Sequence, residues 1–125
     1  MTSDSEQHII REMPRFTYEE CIAEACTLMV STRTVLKVKI KKGKYNQFGQ
    51  ELRDFYSAFV QFYGLVFQRL SERGGALKAD MAKWDKAITV LPISNSSRRT
   101  AILIEEGIRL SEDLQEVLKA DGTFV

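Results

Sequence analysis

Residues 46–73 read NQFGQELRDFYSAFVQFYGLVFQRLSER. Within them Leu52, Tyr56, Phe59, Tyr63, Val66 and Leu70 recur at alternating steps of four and three. A helix of about 3.6 residues per turn gathers such positions on one side, as a heptad-like seam. Phe48, Phe55, Val60, Phe62 and Phe67 flank the seam and widen the apolar stripe to about 160°. Eight of the twelve aromatic residues lie between Tyr45 and Phe67. A helix with that much apolar surface belongs in the middle of a bundle, touching more than one neighbour. Gly74-Gly75 supplies its stop.

On the N-terminal side, Thr17 followed by Glu20 reads as a capping box that opens a first helix. Tyr18, Ile22, Ala25, Met29, Thr32, Leu36 and Ile40 then share a face, and Gly43 closes the helix. The end of this segment, TVLKVKI (34–40), is β-branched and alternating, so a short strand competes there. Helix is favoured, because no partner strand is evident. Residues 1–16 are polar, mixed in charge and interrupted by Pro14; they read as a flexible tail.

On the C-terminal side, a third helix is expected over 76–90, with Leu77, Met81, Trp84, Ile88 and Leu91 inward and Pro92 as its end. A fourth is expected over 97–120, with Leu103, Ile104, Ile108, Leu110, Leu114 and Leu118 inward and Gly122 as its stop. Gly107 and Ser111 lie within that inward face. A small pair four residues apart lets another helix approach closely, which offsets the ~1 kcal/mol a mid-helix glycine costs against alanine. The connections are short, so consecutive helices should run antiparallel. The predicted fold is all-α, a four-helix-bundle-like single domain over 17–122.

The chain of 125 residues carries a net charge of +1, 44% hydrophobic and 28% charged residues. At this size roughly two-thirds of the unfolded surface can be buried without disulfide staples. No stretch approaches the ~20 apolar residues of a membrane span, and the first 16 residues lack the apolar core of a signal peptide. A cytoplasmic setting is expected. Cys21 and Cys26, five apart, point about 140° from each other on a helix and should not bridge.

The one histidine, His8, lies in the tail, so no Ser-His or Cys-His pair can be drawn inside the helical domain. Glu-x-x-His pairs, a Walker loop and a Rossmann glycine pattern are all missing from the sequence. The paired acids Glu19/Glu20, Glu105/Glu106 and Glu112/Asp113 fall on polar sides of their helices. The expectation is a non-enzyme without cofactor, metal or small-molecule substrate.

Three features rise above this background. No acid occurs between Glu24 and Glu51, while Arg33, Lys37, Lys39, Lys41, Lys42 and Lys44 all do. Cations at a helix C-terminus complement the macrodipole, but one or two would serve that end. The full set reads either as a phosphate-attracting edge, as a solvated helix end, or as a dock for an acidic protein. Tyr45 and Phe48 beside it are candidate base stackers. Next, Arg98 and Arg99 open the fourth helix after Ser94-Asn95-Ser96-Ser97. There they oppose the dipole unless an anion sits with them; extension into water is the competing account. Last, Gln50, Arg53, Ser57, Gln61, Gly64, Gln68 and Ser71 form a nearly acid-free flank of the second helix. Solvated flanks usually mix charges, so this one suits a contact surface.

The stretch Gln50-Glu51-Leu52-Arg53-Asp54-Phe55-Tyr56, with the basic edge on a small helical domain, resembles the small helical subunits of CRISPR effector complexes. That resemblance implies a structural subunit lying along guide and target strands, without catalysis. The predicted role is therefore a subunit of a nucleoprotein assembly, touching RNA or DNA backbone through Arg33–Lys44, Arg53, Arg98 and Arg99. The alternative is a protein-binding or self-associating helical scaffold, using the flank of the second helix and the apolar end Thr123-Phe124-Val125. Other protein subunits, and copies of the chain itself, are the partners expected.

Overall fold

The computed structural model describes residues 17–43, 49–70, 74–90, 98–120 and 122. They form four helices: α1 Tyr18–Lys41, α2 Gly49–Val66, α3 Gly75–Thr89 and α4 Arg98–Ala120, with a 3₁₀ turn at Phe67–Arg69. The fold is an all-α bundle, and no strand occurs among the described residues. The expected tail 1–16, with His8, lies outside the described residues. So do Leu91 and Pro92, the serine-rich run 94–97, and 123–125.

Thr17 caps α1 as its sequence position implies: its hydroxyl oxygen accepts from the Glu20 backbone N–H at 3.1 Å. Gly43 leaves the helix with φ +69°, and its N–H donates to the Ile40 carbonyl. Only glycine adopts that φ without strain. TVLKVKI is helical. The Thr34 hydroxyl donates back to the Val30 carbonyl at 2.8 Å, a bond available only at helical i−4 spacing. Leu36 is fully buried while Val38, which would share its face in a strand, is exposed.

α2 ends earlier than its seam suggests. The seam continues to Leu70, but the helix stops at Val66 and tightens into the 3₁₀ turn. Leu70 follows the turn, buried in the core at 2% exposed, and packs so closely on Gly74 that a Cβ added there would stand 2.8 Å from the Leu70 Cβ.

Phe55, Phe59, Phe62 and Val66 of α2 are fully buried, each contributing roughly 1.5–3 kcal/mol of burial. α1 lies antiparallel along α2: Lys39 pairs with Glu51 at one end, and Tyr18 donates its hydroxyl to the Leu65 carbonyl at the other. α3 also runs antiparallel to α2, since Lys78 sits over the Phe67 ring and Tyr56 meets Asp85. α4 packs on α3 and touches both α1 and α2.

The centre is Trp84. Its indole lies 5.4 Å from the Phe59 ring, 6.0 Å from Tyr56 and 6.5 Å from Phe55, centroid to centroid. The indole N–H donates to the Leu103 carbonyl at 2.8 Å. Its benzo edge fills the space a side chain at 107 would need: a Cβ there would lie 2.3 Å from Trp84 Cζ2. The mid-helix glycine of α4 is thus explained by a ring, and its neighbour Ser111 by a different partner described below.

Beside Trp84, Tyr56 donates its phenol to the Asp85 carboxylate at 2.5 Å, and this bond pushes its pKa up to about 12. The protonated phenol is the form the fold favours. The stabilisation is therefore complete below the ordinary value near 10 and is lost as pH rises toward 12. In a phenolate absorbance titration one tyrosine should ionise about two units late, and Asp85→Asn should bring it back toward 10. An unshifted titration in the parent chain would refute the bond.

Candidate interaction surfaces

The basic run at the end of α1 does not form one exposed patch. Arg33 is buried, 9% exposed. It takes the inward place one turn after Met29 that helical spacing had offered to Thr32. Its guanidinium donates to Ser111 Oγ on α4 at 3.0 Å, and the serine hydroxyl donates in turn to the Ile108 carbonyl at 2.6 Å. Burial lowers the Arg33 pKa, opposed by the Glu112 carboxylate. Guanidinium keeps its proton regardless, so a charge is held inside by a polar relay. Placing Arg33 on a nucleic-acid-binding edge is therefore corrected: it joins α1 to α4.

Ser111→Ala removes the acceptor and should cost about 1–3 kcal/mol in urea unfolding. Adding Arg33→Met should restore most of the loss, because an apolar chain of similar length needs no acceptor. A Ser111→Ala variant as stable as the parent would show that the contact carries nothing.

Lys37 and Lys39 are surface residues with acid partners that lie far away in sequence. Lys37 pairs with Glu112 of α4 at 3.3 Å, and Lys39 with Glu51 of α2 at 2.6 Å. The Lys39 bond holds the Glu51 carboxyl below its ordinary value. At the other end of this helix pair, Arg69 hydrogen-bonds Glu19, lowers its pKa, and stacks 4.6 Å from the Tyr18 ring centre. Lys41 and Lys42 are exposed and pair with no described acid. Arg53 is exposed in the first turns of α2, at the same end of the pair. Lys44, Tyr45 and Phe48 lie outside the described residues.

Arg99 is exposed at the start of α4. The Arg98 side chain and the serines before it, and with them the expected anion site, lie outside the described residues. Gln50, Arg53, Ser57, Gln61 and Gly64 of α2, and Gln68 of the 3₁₀ turn that follows it, are all exposed; Ser71 is outside the described residues. Asp54 accepts from Gln50 Nε2 at 2.8 Å. A Cβ at Gly64 would meet nothing within 4 Å, so folding does not require this glycine. Gly64→Ala should raise stability by about 0.5–1 kcal/mol in thermal unfolding; a loss would refute the open space.

A surface that the core pattern concealed lies on the outer face of α1. Leu28, Val35 and Val38 are 51%, 46% and 45% exposed. They belong to a second heptad-like series, Cys21, Glu24, Leu28, Ser31, Val35, Val38 and Lys42, at steps of three and four. At its N-terminal half the series borders an open groove of about 740 Å³ against Gln61 and Leu65 of α2. Cys21 and Cys26 are half-buried free thiols; burial raises the Cys26 pKa.

No helix is long and apolar enough to cross a membrane, and no group of metal-ligating side chains is found, among the described residues. Compared with protein-family models, curated proteins and solved structures, the chain matches none.

Proposed function

We propose that the chain is a non-catalytic helical subunit that works by docking into a larger assembly, with the outer seam of α1 as its contact surface. The observation that carries this reading is the display of Leu28, Val35 and Val38 on one line of one helix. Singly exposed apolar residues are ordinary on any protein. Three on a continuous seam beside a groove make a strip of the kind a partner helix covers. The neutral flank of α2 continues the surface past Gln61.

Carbene footprinting tests the reading. Leu28, Val35 and Val38 should label strongly in the dilute purified chain and weakly in extract of the native cell. Equal labelling in both would refute it.

A second reading, contact with RNA or DNA backbone, rests on Lys41, Lys42 and Arg53 at one end of the α1/α2 pair. It is the role implied by the resemblance to small CRISPR effector subunits, with fewer cations than the sequence offers. Binding through so few phosphate contacts would be sequence-blind and would fall steeply with salt. Retention on single-stranded RNA should then drop for Lys41→Gln with Lys42→Gln. Retention unchanged by that pair, or by salt, would exclude it.

A further inference from the structure

The exposed face of α1 is ordered by charge as well as by apolarity. Glu20 and Glu24 stand at its N-terminal end, Lys41 and Lys42 at its C-terminal end, and none of the four makes an ion pair among the described residues. Between them Thr27, Leu28, Ser31, Thr34, Val35 and Val38 are exposed and uncharged, and the exposed cation Lys37, at the edge of this face, is already paired with Glu112 of α4. Such a face is self-complementary only in one direction. Laid antiparallel on a copy of itself, about a two-fold axis near Ser31, it sets Glu20 against Lys42 and Leu28 against Thr34 and Val35. A parallel pairing would set acid on acid and lysine on lysine.

We infer that the occupant of the α1 seam is a second copy of this chain, docked antiparallel through α1 as a two-fold dimer. This rests on the reading of the seam as a contact surface and names its partner. A two-fold contact uses the same patch on both copies, so each complementary pair is made twice. Antiparallel helices also align their dipoles favourably. The small side chains of Thr27, Ser31 and Thr34 at the crossing let the two backbones approach, while Leu28 and Val35 supply the apolar area.

Sedimentation equilibrium of the full chain should show a concentration-dependent dimer. Glu20→Lys with Glu24→Lys should weaken it by about tenfold or more, and so should Lys41→Glu with Lys42→Glu. The two variants mixed one to one should dimerise again, since one face is then wholly basic and the other wholly acidic. Unchanged thermal unfolding of each variant at low concentration shows that the fold is intact. In a Cys21→Ser background, Ser31→Cys should be joined to its partner by a short bismaleimide. Glu20→Cys should not, because its two copies stand about 33 Å apart along the helices.

A monomer at every concentration, or a mixture that stays monomeric, would overturn the inference. If the seam is then still protected in native extract, the contact-surface reading stands and a different protein covers it. If it is unprotected there too, both fail.

Discussion

Trp84→Ala is expected to lose about 3–5 kcal/mol of unfolding free energy. Three consequences add at this position. The indole is 1% exposed, so its removal empties the middle of the core. Phe55, Tyr56 and Phe59 lose the ring they surround. The Leu103 carbonyl loses the donor it accepts from. A domain of this size has a total stability of roughly 5–15 kcal/mol, so the variant should sit near its unfolding midpoint at modest urea. Circular dichroism through a urea titration measures this. A shift below 1.4 kcal/mol, about tenfold in the equilibrium constant, would mean that Trp84 is not the centre of the core.

Gly107→Val is the second large effect, about 3 kcal/mol. A Cβ at 107 lies 2.3 Å from Cζ2, 2.6 Å from Cε2 and 2.9 Å from Nε1 of Trp84. These atoms belong to a rigid ring hydrogen-bonded to Leu103, so the ring cannot swing away without breaking that bond. Overpacking of this kind costs about 1–3 kcal/mol, and a branched side chain reaches the upper end. Gly107→Ala should lose less, because alanine returns about 1 kcal/mol of helix propensity. The two sites should also couple: in a Trp84→Leu background, Gly107→Ala should become neutral or stabilising. Simple additivity in that cycle would refute the ring as the reason for the glycine.

Much of this fold is legible in the sequence. The Thr17 cap, the Gly43 stop and most of the inward faces of α3 and α4 follow from periodicity and from local backbone chemistry. The buried face of α2 is rotated from the expected seam: Phe55 and Phe62, read as flanking, are fully buried, while Tyr56 and Tyr63 of the seam are half-buried and the flanking Val60 and Phe67 are exposed. The end of α2 is not legible: the seam reads on to Leu70, whereas the helix stops at Val66 and tightens into a 3₁₀ turn. Gly107 reads correctly as a place of close approach, though what approaches is a tryptophan ring.

The interaction surfaces are less legible, for a physical reason. Charge along a sequence counts only near neighbours, whereas Lys37, Lys39 and Arg33 find Glu112, Glu51 and Ser111 across the bundle. A run of cations without local acids therefore overstates the exposed charge. The seam of α1 was present as steps of three and four from Cys21 to Lys42. A helix can carry two such stripes, and spacing alone does not say which one meets the core.

The central claim is that α1 presents a contact seam and that backbone contact with nucleic acid is not what holds the chain in its assembly. Two variants compared in one experiment test this most directly, by gel filtration of native extract at equal protein abundance. Leu28→Lys with Val35→Lys should leave the assembled particle and elute as the isolated chain, while Arg53→Gln, at an exposed cation outside the seam, should stay in it. The contradicting result is the reverse: Arg53→Gln released and the seam variant retained.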